Sequence, residues 1–424
     1  MTMSSIEQEL RLTFRYAVHF TDGVFSPSNT LLRDTIAAGA DYSPARTIFV
    51  VDGGVAGCHP GLLAAIEAYC VRHQDVMRLA APVVVIAGGE DAKNDIFWLE
   101  KILEAINSGG VCRHSYVVAI GGGAVIDVAG YAAAIAHRGV RLIRIPTTVL
   151  AQDDSGLGVK NGINYFGKKN YLGTFATAVA VINDASFLAT LPDRDWLCGI
   201  TEAIKVALVK DGAFFNLIEA SAHALVNRDL AAMQPVIRRS AELHLQHIAS
   251  SGDPFELGSS RPLDFGHWAA HKLEHLSGYR LHHGEAVGIG IALDSTYSWL
   301  AGLLPENEWR RIIGLLIALR LPIYAPELGA HADDATHPRS VLRGLAEFRE
   351  HLGGKLTIAL LEGVGQPLDV HEIDSARMVQ SIAELRRRAE AQEAIGSGSQ
   401  LPAGIPVLRP STGGHHADER TAGR

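Results

Sequence analysis

Apolar residues along this chain fall in short runs at two different spacings, and the change between them divides the sequence in two. Through the first 185 residues the runs are five or six long: Arg46 to Val51, Pro82 to Ala87, Tyr116 to Ile120 and Val140 to Ile145. Runs of that length bounded by Gly and polar clusters predict buried strands. Leu10 to Phe20 alternates and predicts one more strand. Between these runs Asn29 to Ala37, Leu62 to His73 and Asp95 to Asn107 carry helical periodicity, and a small-residue helix runs from Gly121-Gly122-Gly123 to His137-Arg138-Gly139. Strands alternating with helices at this spacing call for a mainly parallel sheet covered on both faces.

From about Ser186 the period becomes helical. Ala185 to Leu191, Arg194 to Lys210, Ala213 to Leu225, Leu230 to Ser250, Trp268 to Leu276, Gly284 to Leu300 and Glu306 to Leu319 all read as helices. A short strand at Lys355 to Leu361 and a helix at Ile373 to Ala391 follow. The expected division is an α/β domain over residues 1–184 and a helical domain over 185–391. Residues 392–424, rich in Gly, Ser, Pro, Thr and charge, form a tail too polar to fold, expected to be disordered.

The chain has 424 residues and a net charge of −8, which argues against a basic nucleic-acid-binding face. No stretch reaches the roughly 18 apolar residues of a membrane span, and Met1 to Arg15 lacks a signal core, so a cytoplasmic protein is expected. The four cysteines (Cys58, Cys70, Cys112, Cys198) have no paired short spacing and read as buried reduced thiols.

Chemistry concentrates at the expected strand ends. Asp52, then Glu90 to Lys93, then Gly121 to Gly123, then Thr147-Thr148 each follow an apolar run, where parallel sheets bind ligands. Asp153-Asp154-Ser155, Lys160 and Lys168-Lys169-Asn170 come next. Backbone N–H groups at a glycine-started helix, with lysines nearby, suit a phosphorylated ligand. In the helical half, Glu202 and Lys205 lie one turn apart. His267 and His271 lie at i and i+4, Glu274 is three residues on, and His282-His283 stand at an expected helix start. A His, His, Glu set with an open position is a common catalytic zinc arrangement.

Taken together these motifs resemble the 3-dehydroquinate synthases, members of the sugar phosphate cyclases. The likeness rests on the Gly121 to Asp127 turn, His137-Arg138-Gly139, Pro146-Thr147-Thr148, Asp154, Lys160, Lys169-Asn170, Glu202-x-x-Lys205, Gly266-His267-x-x-x-His271 and His283-Gly284-Glu285-Ala286-Val287, and spans about Asp52 to Leu300. It implies a dehydroquinate synthase-like fold: an α/β Rossmann-like NAD-binding domain followed by an all-α metal-binding domain. It also implies a homodimer, bound NAD, and zinc, cobalt or another divalent metal. By position, Glu202, His267 and His283 resemble the metal ligands. Asp52, Glu90, Lys93, Gly122, Gly123, Asp127, Thr147 and Thr148 resemble the NAD contacts. Asp154, Lys160, Lys169, Asn170, Lys205 and His271 resemble the substrate and catalytic positions, and Arg138 a phosphate-binding arginine reaching across the dimer.

The departures concern the substrate. Asp264 stands where the resemblance expects Asn, and Ser260 where it expects an arginine for the substrate carboxylate, with Arg261 one step later. A lysine expected in the preceding helix is missing, with His244 or His247 nearby, and a late Asp-Lys-Lys run is replaced by Phe348-Arg349-Glu350-His351. A carboxylate ligand needs those cations. Their loss is similar to cyclases that act on sedoheptulose 7-phosphate, and the expected activity is a 2-epi-valiolone synthase-type cyclization with loss of phosphate. On that reading Asp264 joins the catalytic positions and Arg261 the substrate contacts. The alternatives are 3-dehydroquinate synthase with Arg261 taking the carboxylate, a metal- and NAD-dependent polyol or glycerol dehydrogenase, and a non-catalytic NAD- or sugar-phosphate-binding protein.

Overall fold

Strands and helices alternate as far as Asp184, after which the chain is almost wholly helical. The computed structural model describes residues 5–10, 12–166, 168–250, 255, 262–351 and 354–396. In chain order the first half comprises Ala17–Thr21 (β1), Leu31–Gly39 (α1), Ala45–Asp52 (β2), Gly53–Cys58 (α2), Leu62–Arg72 (α3), Met77–Leu79 (β3) and Val84–Ile86 (β4). Asp91–Asn94 (α4), Ile96–Ser108 (α5), Tyr116–Gly121 (β5), Gly123–Ile135 (α6), Arg141–Pro146 (β6), Lys160–Tyr165 (β7), Lys168–Phe175 (β8) and Ala180–Asp184 (β9) follow.

The main sheet is parallel, in the order β1-β9-β6-β5-β2-β3, and β4 pairs the far end of β2. Its central strands carry Val, Ile and Leu on both faces because both faces are covered by helices. The register lines up the chemistry. Asp52 pairs Ile86, and Gly121 pairs Pro146, so the carboxyl ends of β2, β4, β5 and β6 open along one crevice.

Arg144 lies in the middle of β6, wholly buried. Its guanidinium donates to the carbonyls of Gly156 (3.0 Å) and Lys160 (3.3 Å) and to Asn161 Oδ1 (2.7 Å). It thereby fixes the loop into β7 against the sheet. The antiparallel pair β7–β8 folds over the crevice as a separate hairpin.

The second half contains Asp193–Lys210 (α7), Gly212–Val226 (α8), Leu230–Ser250 (α9), His267–Leu276 (α10), His283–Leu300 (α11), Glu306–Ala318 (α12), Pro326–Gly329 (α13), Arg343–His351 (α14) and Ser375–Gly396 (α15), with one hairpin, Ile358–Gly363 (β10) and Gln366–Val370 (β11). Helix α11 is buried from Ala286 to Ser298, because α7, α10, α12, α15 and β10 surround it. A helix buried on all sides needs no apolar stripe. Close packing sets the spacing between α10 and α11. A Cβ on Gly290 would lie 2.0 Å from the Gly266 carbonyl oxygen, and one on Gly266 2.7 Å from the Ile291 nitrogen.

Several expectations need correction. The strand expected over Leu10 to Phe20 is confined to β1, and Ala185–Thr190 is a 3-10 turn rather than the start of the helical bundle. Helix α15 continues to Gly396, five residues into the expected tail; residues 397–424 lie outside the described residues. All four thiols are free, but Cys58 and Cys112 are exposed. Among the described residues no helix is long and apolar enough to cross a membrane.

The α10–α11 contact yields a stability prediction. Gly290→Ala forces the helices apart at a backbone oxygen and is expected to cost about 1–3 kcal/mol in chemical denaturation. Gly314→Ala, in α12 with open space around its Cα, is expected to be neutral or to stabilise by up to about 1 kcal/mol.

Candidate active site

The crevice at the strand ends has the shape and donors for a dinucleotide. Gly122 caps α6 without any side-chain hydrogen bond, leaving the first N–H groups of a 13-residue helix for an outside acceptor. No Cβ fits beside them. One on Gly121 would lie 2.8 Å from Val125, and one on Gly123 2.6 Å from Ser155 Oγ. Thr147 and Thr148 stand opposite: the Thr147 nitrogen donates to the Gly121 carbonyl at 3.0 Å, and Thr148 Oγ1 accepts from Ala151. Asp52 caps α2 by accepting from the nitrogens of Gly54 (2.8 Å) and Val55 (3.4 Å). This arrangement of helix start, glycines and strand-end acid suits a pyrophosphate and a ribose.

The hairpin connects the crevice to the helical half. Lys93 pairs with Asp127 at 2.7 Å and donates to Asn170 Oδ1. Asn164 donates to Glu90 at 2.7 Å, and its own oxygen accepts from the Asn170 nitrogen at 2.8 Å. From β8, Lys169 reaches Glu274 on α10 at 2.8 Å. Burial opposes its charge, but Glu274 and then Glu90 raise the Lys169 pKa, so it stays an ammonium.

At the centre is Glu202 on α7, with no exposed side-chain surface. His267 Nε2 lies 3.6 Å and His283 Nε2 3.3 Å from its Oε1, while Lys205 Nζ lies 2.5 Å from Oε2. Neither oxygen completes a hydrogen bond of good geometry. An acid buried in that state is left for another ligand. Tetrahedral bonds of 2.0–2.1 Å put neighbouring ligand atoms about 3.3–3.4 Å apart, and the ligand atoms of Glu202, His267 and His283 lie within 4.8 Å of one another. The set therefore fits a divalent metal.

The surrounding groups prepare both imidazoles. His267 Nδ1 is 3.2 Å from the Phe265 carbonyl, so it takes the proton and leaves Nε2 bare. Burial, then the Lys205 charge, depress the His267 pKa strongly and keep the ring neutral. His283 Nδ1 is 3.3 Å from Glu274 Oε2, which orients its ring. Without metal, burial resists the charge on His283, yet Glu202 and Glu274 raise its pKa to about 9. His271, Glu274 and His283 form a second group of possible ligands. There the two Glu274 oxygens are already engaged by Lys169 and by His283 Nδ1, which favours the Glu202 set.

The substrate side is acidic. Ala151–Ser155 forms one π-helical turn, a distortion often found at functional sites. It buries Asp153 completely, with neither oxygen hydrogen-bonded, and burial followed by the charge of Asp154 raises its pKa far above the usual range. Asp154 behaves oppositely. Burial opposes its ionisation, but Lys205 and then His244 hold its pKa at about 2. Lys205 is in turn held strongly cationic, because Glu202, Asp154 and Asp264 outweigh its burial.

Most expected site residues therefore come together: Glu202, Lys205, His267, His271, His283, Asp154, Asp264 and Lys169 in one cluster, and Asp52, Glu90, Lys93, Gly122, Gly123, Asp127, Thr147, Thr148 and Asn170 along the crevice. Lys160 opens β7, exposed, at the loop that Arg144 fixes. Arg138 does not join them. It follows the far end of α6, about 20 Å of helix from Gly123, and lines a cleft of about 320 Å³ with Phe14 and Phe175. Arg261 lies outside the described residues.

Three contributors were missed or left without a role. Arg144 interrupts an apolar run, which was the only local sign of it. Glu274 was seen as a neighbour of the histidines, without its link to Lys169. Asp294 accepts from Trp268 Nε1 (2.9 Å) and the Gly266 nitrogen (3.0 Å), pegging the start of α10 and hence His267; burial raises its pKa to about 7.

Two family profiles match the chain: 3-dehydroquinate synthase N-terminal over residues 83–198, and 3-dehydroquinate synthase C-terminal over residues 199–337. A 3-dehydroquinate synthase of Bradyrhizobium sp. is 34% identical over 79% of this chain and 90% of its own length. A 2-epi-5-epi-valiolone synthase of Actinomyces sp. is 32% identical over 91% of this chain and 97% of its own. Among solved structures, the 2-epi-5-epi-valiolone synthase of Streptomyces hygroscopicus subsp. jinggangensis 5008, with NAD+ and Zn2+ bound, superposes with a TM-score of 0.79 at 29% identity, covering 90% of this chain and 100% of that one.

The role of Glu274 as an orienting group is testable. Glu274→Gln releases Lys169 and weakens the hold on His283, and is expected to lower divalent-metal affinity about 10- to 100-fold in a chelator competition. Unchanged affinity would leave Glu274 with no part in orienting His283.

Proposed function

This chain belongs to the 3-dehydroquinate synthase family, within the sugar phosphate cyclases, and from that premise we propose that it cyclises sedoheptulose 7-phosphate to a valiolone-type cyclitol of the 2-epi-valiolone synthase kind. The product is reached by loss of phosphate, without net redox change. Relatives of both activities stand at similar identity, so overall likeness does not choose the substrate.

The observation that carries the choice is the charge of the substrate side. Lys205 and Lys93 are each already paired with an acid of the protein. Asp154 is ionised, and Asp264 adds a further acid beside Lys205. A substrate carboxylate entering there meets like charge without a bidentate arginine among the described residues, whereas a hydroxyl is at ease among acceptors.

Glu202, His267 and His283 would hold zinc or a related divalent ion, and the glycine crevice with Asp52, Glu90, Lys93, Asp127 and Thr147-Thr148 would hold NAD. When bound, NAD+ accepts and returns a hydride and the metal polarises neighbouring substrate hydroxyls. The chain's own groups do the rest. Asp154 accepts a hydrogen bond from a substrate hydroxyl and orients it. The Lys205 ammonium stabilises negative charge that develops on the neighbouring oxygen. His271, exposed with its ring 5.5 Å from that of His267, moves protons at the edge of the cluster. Lys160, Lys169 and Asn170 bind the phosphate end. In a homodimer, Arg138 would serve the site of the second copy, in keeping with its distance from its own.

The test uses the full-length protein with NAD+ and zinc, given sedoheptulose 7-phosphate or the carboxylated heptulosonate phosphate separately. Phosphate release from sedoheptulose 7-phosphate without accumulation of NADH is expected. Turnover of the heptulosonate alone would make the protein a 3-dehydroquinate synthase, and stoichiometric NADH a dehydrogenase.

A further inference from the structure

Helix α9 closes the substrate side by packing on the π-helical turn, and the residue it places there is His244. Its Nδ1 lies 2.9 Å from Asp154 Oδ1, with the side chain 14% exposed. The carboxylate stands off the line of the ring N–H, so the contact is electrostatic before it is a linear hydrogen bond. Such contacts commonly tighten when substrate arrives. The other edge of the ring faces the loop that leads to Lys160. A Cβ on Gly158 would lie 3.8 Å from Nε2. The imidazole therefore bridges Asp154 and the open side of that loop.

The hydrogen-bonding capacity of this ring is directional. A neutral imidazole whose Nδ1–H faces a carboxylate presents a bare lone pair at Nε2. A substrate hydroxyl can donate to that lone pair, and a carboxylate, which only accepts, cannot. A lysine in this helix would do the reverse, offering three donors and a full charge.

We propose that His244 is a positioning and specificity-determining residue: Nδ1 holds Asp154 in place, and Nε2 accepts a hydrogen bond from a substrate hydroxyl where a carboxylated substrate would need a cation. The inference rests on the substrate reading above and assigns that selection to one side chain.

The experiment compares the wild-type holoenzyme with His244→Asn, His244→Ala and His244→Lys, using sedoheptulose 7-phosphate as substrate and the carboxylated heptulosonate phosphate as inhibitor. Asn retains an N–H for Asp154 and has no atom at Nε2, so KM should rise about tenfold with kcat within about threefold. Ala loses both contacts, and kcat should fall about a further tenfold. Lys should tighten inhibition by the heptulosonate at least about tenfold. The proposal is overturned if Asn and Ala behave alike, or if Lys leaves the inhibition constant at the wild-type value. NAD+ affinity, measured by fluorescence, reports whether each variant is folded. If Lys fails that check, His244→Arg supplies the cation instead. If the wild type does not turn over sedoheptulose 7-phosphate, the substrate reading falls. The ratio of heptulosonate inhibition constants between Lys and wild type still decides the role of His244.

Discussion

Glu202 is a carboxylate with no surface in water and, among the described residues, no hydrogen bond of good geometry. Burying such a group is tolerable only where positive charge gathers around it, and the architecture of the helical half follows from that requirement. Helix α7 brings Lys205 one turn away. Helices α10 and α11, packed as closely as Gly266 and Gly290 allow, bring His267 and His283 to the other oxygen. Asp294 pegs the start of α10, and the Phe265 carbonyl takes the proton of His267, so that a bare nitrogen points inward. These contacts lie on the same few turns of helix. A shift of one helix would therefore disturb the balance of charge as well as the packing.

The same logic extends outward and joins the two halves. Glu274 orients His283 and draws Lys169 across from the hairpin, while Lys93 and Asn170 tie that hairpin back to the glycine crevice. A sugar bound between the halves would touch both. On the substrate reading proposed above, cations already paired within the protein and the ionised Asp154 together act as a filter. Charges already satisfied within the protein do little to attract a second carboxylate, and ionised Asp154 repels one. Hydroxyl-rich ligands pay no such penalty. Members of one family can thus share the ligand set and the crevice while differing in what the remaining positions reject.

Much of this was legible in the chain. The short, mainly apolar runs located β2, β5 and β6 to within a residue or so, because strands buried on both faces carry apolar residues at successive positions. The longer helices of the second half were equally plain, and so were the glycine turn and the histidines, whereas the short α13 and α14 were not read. The hairpin β7–β8 was not predicted, since Lys160, Lys168, Lys169 and Asn170 put site chemistry where an ordinary strand would carry apolar residues. Arg144 was absorbed into the run that hides it. The roles of Glu274, His244 and Asp294 depend on partners 9 to 105 residues away in sequence, and no local period encodes such pairings.

The central claim is that the buried acid on α7 is the hub of a metal site. Anomalous diffraction at the zinc edge, on crystals of the zinc-loaded protein, tests it most directly. The account predicts one strong peak between Glu202, His267 and His283. A peak held instead by His271, Glu274 and His283, or none near Glu202, would contradict it.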